Sequence, residues 1–212
     1  MKAEHDARGD TRRKILDLAE TLLLSRGFNA FSYQHISAGL GVRNAAIHYH
    51  FARKTDLGVA LIERYRRRFA RFIAAQAGLT PAEQLERYFT LTDSYFQRQQ
   101  ICPSGILSAE LQTLPPEMQQ AGGLFVAEMR AWAVDIVARG QADGSMQYAG
   151  SAAGMGALMF ASMQGALQLA RFDEAAIASV KRQLRQLLGL AAEADNTNNS
   201  NNTATTHEES QQ

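Results

Sequence analysis

Cys102 is the only cysteine in the chain, and it stands directly before Pro103-Ser104-Gly105. Proline is favoured at the first position of a helix, which would make Cys102 the N-cap of a sixth helix. The positive end of that helix would stabilise a thiolate and pull the thiol below its ordinary pKa of about 8.5. Arg98, four residues earlier, would add to the effect. A thiol so placed can be alkylated or oxidised; the competing expectation is an inert buried thiol. His48 and His50 are a second candidate, two residues apart like some metal ligands. On a helix that spacing points the rings apart, and no carboxylate or cysteine is close in sequence, so no metal is expected. Arg64, Arg66, Arg67, Arg68 and Arg71 form a third group, able to track a polyanion or to face the rest of the protein. Arg66 to Arg68 lie about 20 Å along a helix from Lys54 if the segment is continuous, which favours a solvated or interdomain face. No Ser/His/Asp arrangement or glycine-rich phosphate loop accompanies these groups, and the C-terminal half holds no histidine before His207 to serve Cys102. The chain is therefore not expected to be an enzyme or to need a cofactor.

These residues need elements to position them. The chain has 212 residues and 46% apolar content, enough for one or two domains with a core. Its most apolar stretch, 151–170, is broken by Gly154, Gly156, Gln164, Gly165 and Gln168, short of the roughly 20 apolar residues that a membrane span requires. The opening MKAEHDARGD lacks the apolar centre of a secretory signal, and a lone cysteine suits a reducing compartment, so a cytoplasmic location is expected. Residues 1–75 hold 14 Lys/Arg against 7 Asp/Glu, whereas the remainder hold 8 against 14. A basic first third on an acidic remainder points to a polyanion bound at one end.

Nothing reads as a strand, and apolar spacings of three and four predict an all-α fold of about nine helices. The first is expected over 10–25, N-capped by Asp10, with Ile15, Leu18, Ala19, Leu22 and Leu23 as its buried stripe and Gly27 as its stop. Short helices are expected over 34–40, capped by Ser32 and ended by Gly41, and over 43–49. Longer ones follow over 54–76 and 81–99, then a short one after Cys102, one opened by Pro115-Pro116, and two more over about 149–171 and 174–190. The eighteen residues after Ala194 are almost devoid of apolar side chains, so 193–212 is expected to be a disordered polar tail.

The second and third helices are too short to stand alone. Packed on the first they make a helix-turn-helix unit with the last short helix exposed. Here the residues become specific: Gly41-Val42-Arg43-Asn44-Ala45-Ala46-Ile47-His48-Tyr49-His50-Phe51, then Arg53-Lys54-Thr55-Asp56-Leu57, with Arg12-Arg13-Lys14-Ile15-Leu16, Ala19, Gly27-Phe28, Ser32 and Ile36 upstream. Over about 10–66 the sequence strongly resembles the TetR family of regulators. The resemblance implies a head of residues 1–53 that binds double-stranded DNA and a helical ligand-binding and dimerisation body of residues 54–192. It places Arg43, Asn44, Ala45 and Ala46 against base edges, with Gln34 as a further reader; arginine can read guanine, asparagine adenine, and alanine methyls thymine methyls. It places Ser32, Tyr49, His50 and Lys54 at phosphates. It also places His48 among the DNA-binding residues, at a position where the family more often has tyrosine. Phe28, Phe31, Ile36, Leu40, Val42, Ile47 and Phe51 are expected to be core.

In the body, small residues crowd the eighth helix (Ser151, Ala152, Ala153, Gly154, Gly156, Ala157, Ala161, Ser162, Gly165, Ala166), and Ile177, Val180, Leu184, Leu187 and Leu188 recur along the ninth. Together they could form a two-fold interface, and the family resemblance puts the homodimer contact there. Candidate pocket residues are Tyr88, Tyr95, Phe96, Cys102, Ile106, Leu107, Glu110, Leu111, Phe125, Met129, Trp132, Met155, Met159 and Met163, whose aromatic and thioether groups give an adaptable cavity. Such stripes also occur in plain core. The segment CPSGILSAE resembles a family subgroup in which the cysteine senses electrophiles or oxidants, which makes Cys102 the candidate sensor. The expected function is a ligand-responsive repressor that binds palindromic operator DNA as a homodimer and is released by a small molecule or by modification of Cys102. An activator of the same fold, or a constitutive architectural DNA-binding protein, fits the same residues.

Overall fold

Nine α-helices and one short 3-10 turn organise the described residues, 2–190, in the computed structural model. They are α1 (Lys2–Arg26), α2 (Tyr33–Leu40), α3 (Asn44–His50), α4 (Lys54–Ala74), α5 (Pro81–Gln97), α6 (Pro103–Ala109), the 3-10 turn Leu111–Thr113, α7 (Pro116–Ala142), α8 (Ala152–Leu169) and α9 (Ala176–Leu187). No strand occurs among the described residues. The expected polar tail lies outside them.

The expected N-cap at Asp10 is not what the structure contains. α1 starts eight residues earlier, because nothing before Asp10 forbids helix, and Asp10 sits inside it. Its carboxylate pairs with Lys14 at 2.7 Å and with Arg13, one turn on, and these bonds hold it below the usual carboxylate range. Gly27 ends α1 at φ 88°, a left-handed conformation that favours glycine. Gly41 does the same for α2 at φ 64°, and its N–H returns to the carbonyls of that helix's last turn.

α1, α2 and α3 close around Ile15, Ala19, Leu23, Phe28, Phe31, Ile36, Ile47 and Phe51, all buried. Leu40 and Val42 lie half-buried against that core. α2 is eight residues long and α3 seven, so the apolar face of α1 is what holds them. α4 leaves this head and runs into the body, where it packs on α7; α7 in turn packs on α8, and α8 on α9. The α7–α8 approach depends on Gly156, where a Cβ would come within 2.5 Å of Val134 Cα.

Candidate nucleic-acid interface and effector cavity

On α3, Arg43, Asn44 and Ala45 are exposed and Ala46 is half-buried, while Ile47 on the opposite face is fully buried. Arg43 is the N-cap residue and leads the helix. Tyr49 is 66% exposed, its ring edge-on to His50 at 5.2 Å, and His50 is half-buried. Gln34 is exposed on the first turn of α2. Ser32 caps α2 by an unexpected route: its N–H donates to His35 Nδ1 at 2.9 Å, so an imidazole does the work that glutamate usually does in a capping box.

Two residues expected at DNA are placed differently. His48 is tied back to the head: its ring meets Tyr33 edge-on at 4.7 Å and its Nδ1 lies 3.1 Å from the Ala52 carbonyl. Tyr33 donates to the Phe51 carbonyl at 2.8 Å, and burial, with the Asp56 charge adding, pushes its hydroxyl up to about 12. His48 therefore braces α3. Lys54 turns inward rather than toward a phosphate, donating to the Phe28 carbonyl at 2.5 Å from above the rings of Phe28 and Phe31. Burial holds its ammonium below the ordinary lysine value, and the nearby Glu110 charge opposes that shift.

Glu110, expected in the pocket, stands at the seam between head and body. Its carboxylate accepts from the N–H groups of Phe28 (2.6 Å) and Asn29 (3.3 Å), donors of the loop that follows α1. A Cβ on Gly27 would strike that carboxylate, so the positive φ and the close approach select the same glycine. Asn29 Nδ2 donates to Thr113 Oγ1 at 2.7 Å, Arg53 pairs with Glu117 at 3.3 Å, and the Ile101 N–H donates to the Leu24 carbonyl at 3.3 Å. The arginine run of α4 completes the seam. Arg64 pairs with Asp17, Arg68 with Glu20, and Arg66 with Glu63 (2.8 Å) and Glu128 (2.5 Å). These three bind α4 to α1 and α7, the interdomain role that their distance from Lys54 implied.

Beneath the seam lies a cavity of about 550 Å³, partly open to solvent, lined by α1, α4, α5, α7 and α8 and the start of α6 with the segment before it. Of the expected residues, Tyr88, Tyr95, Cys102, Phe125, Met129 and Met163 line it. The others do not. Phe96 borders a charged groove between α5 and α9. Ile106, Leu107, Met155 and Met159 are core, and Leu111 is exposed. Trp132 stands behind the wall, 5.6 Å from each of the Phe69, Phe72 and Tyr88 rings. Sequence reading missed the contributions of α1 (Asp17, Glu20, Thr21, Leu24) and α4 (Tyr65, Arg68, Phe69, Phe72), and of Gln164 on α8. The aromatic residues of α4 alternate with its arginines, and that interleaving was the available signal.

Cys102 is the N-cap of α6, as its proline neighbour implied, and is buried. Its Sγ lies 3.1 Å from Ser104 Oγ and accepts from Gln164 Nε2 at 3.4 Å. α6 is only seven residues long, and Arg98 is exposed at the cavity border. The hydroxyls of Tyr65 and Tyr88 are buried in the cavity wall without a hydrogen-bond partner among the described residues. Burial pushes both, and Tyr95, well above the ordinary phenol value. Among the described residues no three His, Cys, Asp or Glu side chains gather as a metal site would require, and no helix is long and apolar enough to cross a membrane.

An exposed recognition helix on a basic three-helix head, joined to a separate helical body, defines a transcriptional regulator of the helix-turn-helix class. Residues 15–61 match the family described as "Bacterial regulatory proteins, tetR family". A TetR-family transcriptional regulator from Agrobacterium tumefaciens superposes with a TM-score of 0.81 at 29% identity, over 85% of this chain and 99% of that one. A TetR transcriptional regulator from Legionella pneumophila gives 0.74 at 27%, over 82% and 95%. Escherichia coli NemR in its reduced form gives 0.71 at 21%, over 84% and 97%, a likeness of fold alone. No curated protein matches in sequence. The chain thus carries a tetR-type regulatory domain over residues 15–61 within a fold shared with TetR-family transcriptional regulators.

Proposed function

We propose that this chain is a ligand-responsive repressor that grips palindromic operator DNA as a homodimer in the cytoplasm and lets go when its cavity is filled or Cys102 is modified. One observation carries the reading: α6 connects the two sites. Cys102, its N-cap, stands in the cavity wall, and Glu110, its C-cap, holds the loop that leads into α2. An occupant that displaced the start of α6 would move the carboxylate that fixes the head. A ligand shifts such an equilibrium only through its different affinity for the two arrangements.

The homodimer is supported by an unpartnered stripe on α8. Gly154, Leu158, Ala161, Gly165 and Leu169 are exposed at spacings of three and four, and the stripe runs on to Phe172, which is 95% exposed. A soluble surface rarely leaves such a row in water, and a second copy about a two-fold axis would cover it with its own. Two heads would then meet successive turns of the groove, about 34 Å apart. The DNA reading is tested with fluorescently labelled DNA flanking the chain's own gene, titrated between 50 and 200 mM salt. Phosphate contacts predict a steep linear loss of log affinity with log salt. Equal affinity for unrelated DNA, or binding indifferent to Tyr49→Ala and Arg43→Ala, would sink it.

A further inference from the structure

We propose that the cavity takes a neutral, mainly aromatic molecule whose oxygen or nitrogen acceptor is held by the hydroxyls of Tyr65 and Tyr88. The inference rests on the reading of this cavity as the effector site. Its starting point is the pair of orphan hydroxyls. A buried hydroxyl without a partner forfeits its hydration for nothing, so native proteins seldom keep one without a use. Here two, from different helices, end in the wall of one cavity. Tyr88 has one acceptor nearby, the amide oxygen of Gln164, itself buried and unpaired, while the Gln164 amide nitrogen donates to Cys102; an occupant's acceptor would take the Tyr88 hydroxyl in competition with that oxygen. Both phenols stay protonated across the physiological range because burial disfavours the phenolate. They are donors in search of an acceptor, and they offer no anionic charge to a cation.

Charge on the occupant is disfavoured from the other side as well. The ionisable groups bordering the cavity are Asp17, Glu20, Arg68 and Arg98, two of each sign. Asp17 is paired with Arg64 and Glu20 with Arg68. A cation would find both carboxylates already paired, and an anion would find only Arg98, exposed at the border where water screens it, so either charge would lose hydration for little return. The remaining wall, Phe69, Phe125, Met129 and Met163 among it, offers ring faces, ring edges and thioethers, the surfaces that fit a flat polarisable body.

Four naphthalenes of matched size separate the terms: 2-acetylnaphthalene (neutral, acceptor), 2-ethylnaphthalene (neutral, none), 2-naphthoate and 2-naphthylmethylammonium. The readout is the emission of Trp132, the only tryptophan, whose ring touches three cavity-lining rings. The expected order is acetyl tighter than ethyl by about 10-fold, as one or two hydrogen bonds provide, with both charged compounds weaker still. In the double variant Tyr65→Phe, Tyr88→Phe the acetyl preference falls to about 1-fold while ethyl binding is kept. Removing hydroxyls that bond nothing leaves the unliganded thermal midpoint unchanged or raised. A charged compound or the ethyl compound binding as tightly as the acetyl one, a preference that survives the double variant, or a marked fall in the midpoint overturns the ligand class and leaves the cavity as effector site. Silence of Trp132 toward all four compounds at about 1 mM overturns the effector-site reading itself.

Discussion

The head and the body solve opposite problems with polar side chains. On α3 the polar groups stand in water on a rigid base, with Arg43 and Asn44 exposed over the buried Ile47. In the cavity they are withdrawn from water, with Tyr65 and Tyr88 buried and their hydroxyls unbonded. Under the proposed function the head meets a partner that is charged, large and already hydrated, and the body one that must shed its water. A single seam would then suffice to connect them, Glu110 and the α4 arginines reporting whether the wall behind them has moved.

The sharpest way to break this comparison is to remove the second head. At Gly165 a side chain would meet nothing within 4 Å, so Gly165→Glu should fold as the parent does while placing a charge on the α8 stripe. The expected result is a monomer by light scattering and a loss of operator affinity of roughly 100-fold or more, since one recognition helix reads only half a palindrome. A variant that stays dimeric would remove α8 from the interface.

Next in size is the base-reading tip. Arg43→Ala should cost about 1–3 kcal/mol of operator binding and relax preference at one base pair, leaving nonspecific affinity nearly unchanged. Tyr49→Phe, which keeps the ring and deletes only the hydroxyl, should weaken all sequences alike and by less. If Arg43→Ala lowered both kinds of binding equally, its contact would be to phosphate and the division of labour along α3 would need redrawing.

The two regions also differed in how far their sequence betrayed them. The tip of the head is written in one stretch, 32–54, where a glycine stop, a short buried stripe and the polar tip follow in order, so α2 and α3 were legible to within a residue or two, whereas α1 starts eight residues before its expected cap. What escaped was direction. Nothing in the spacing says that Lys54 folds back over Phe28 and Phe31 or that His48 leans on Tyr33, because both outcomes depend on rings brought close by tertiary packing. The cavity is written in five helices. Its residues were sought on α5 to α8, whereas α1 and α4 supply much of the wall. A single helix shows which side chains are apolar; only the packing of several decides which of them border a void. Glu110 was noticed for its chemistry and misplaced for the same reason.

The seam offers a middling effect. Glu110→Ala strands the N–H groups of Phe28 and Asn29, and a charge-assisted pair of partly buried bonds suggests a loss of about 1–2 kcal/mol in urea unfolding. Glu110→Gln, which keeps a carbonyl acceptor, should lose about half as much. Both should also lessen the effect of any cavity occupant on DNA affinity. An alanine variant with parental stability and full release would show the carboxylate to be a bystander.

The smallest effect at physiological pH, and the one that tests burial in both regions at once, is the titration of the tyrosines. In the head, Tyr33 ionises near 12 in the folded chain against about 10 when unfolded; in the body, Tyr65, Tyr88 and Tyr95 are displaced in the same direction. A raised folded value means that the fold prefers the neutral phenol. The stability this contributes is complete below about pH 10 and is lost as the pH climbs through the folded values. Between pH 6 and 9 these groups should leave the unfolding free energy flat, whereas above pH 10 it should fall. In a Tyr49→Phe background, which removes the water-exposed phenol, phenolate absorbance near 295 nm should then rise chiefly with unfolding. Tyr33→Phe should flatten part of that fall by removing the head's contribution, and Tyr88→Phe part of the body's. Phenolate absorbance that developed fully near pH 10 in the still-folded chain would mean that these hydroxyls reach water, and the contrast between a wet head and a dry cavity would fail at its dry end.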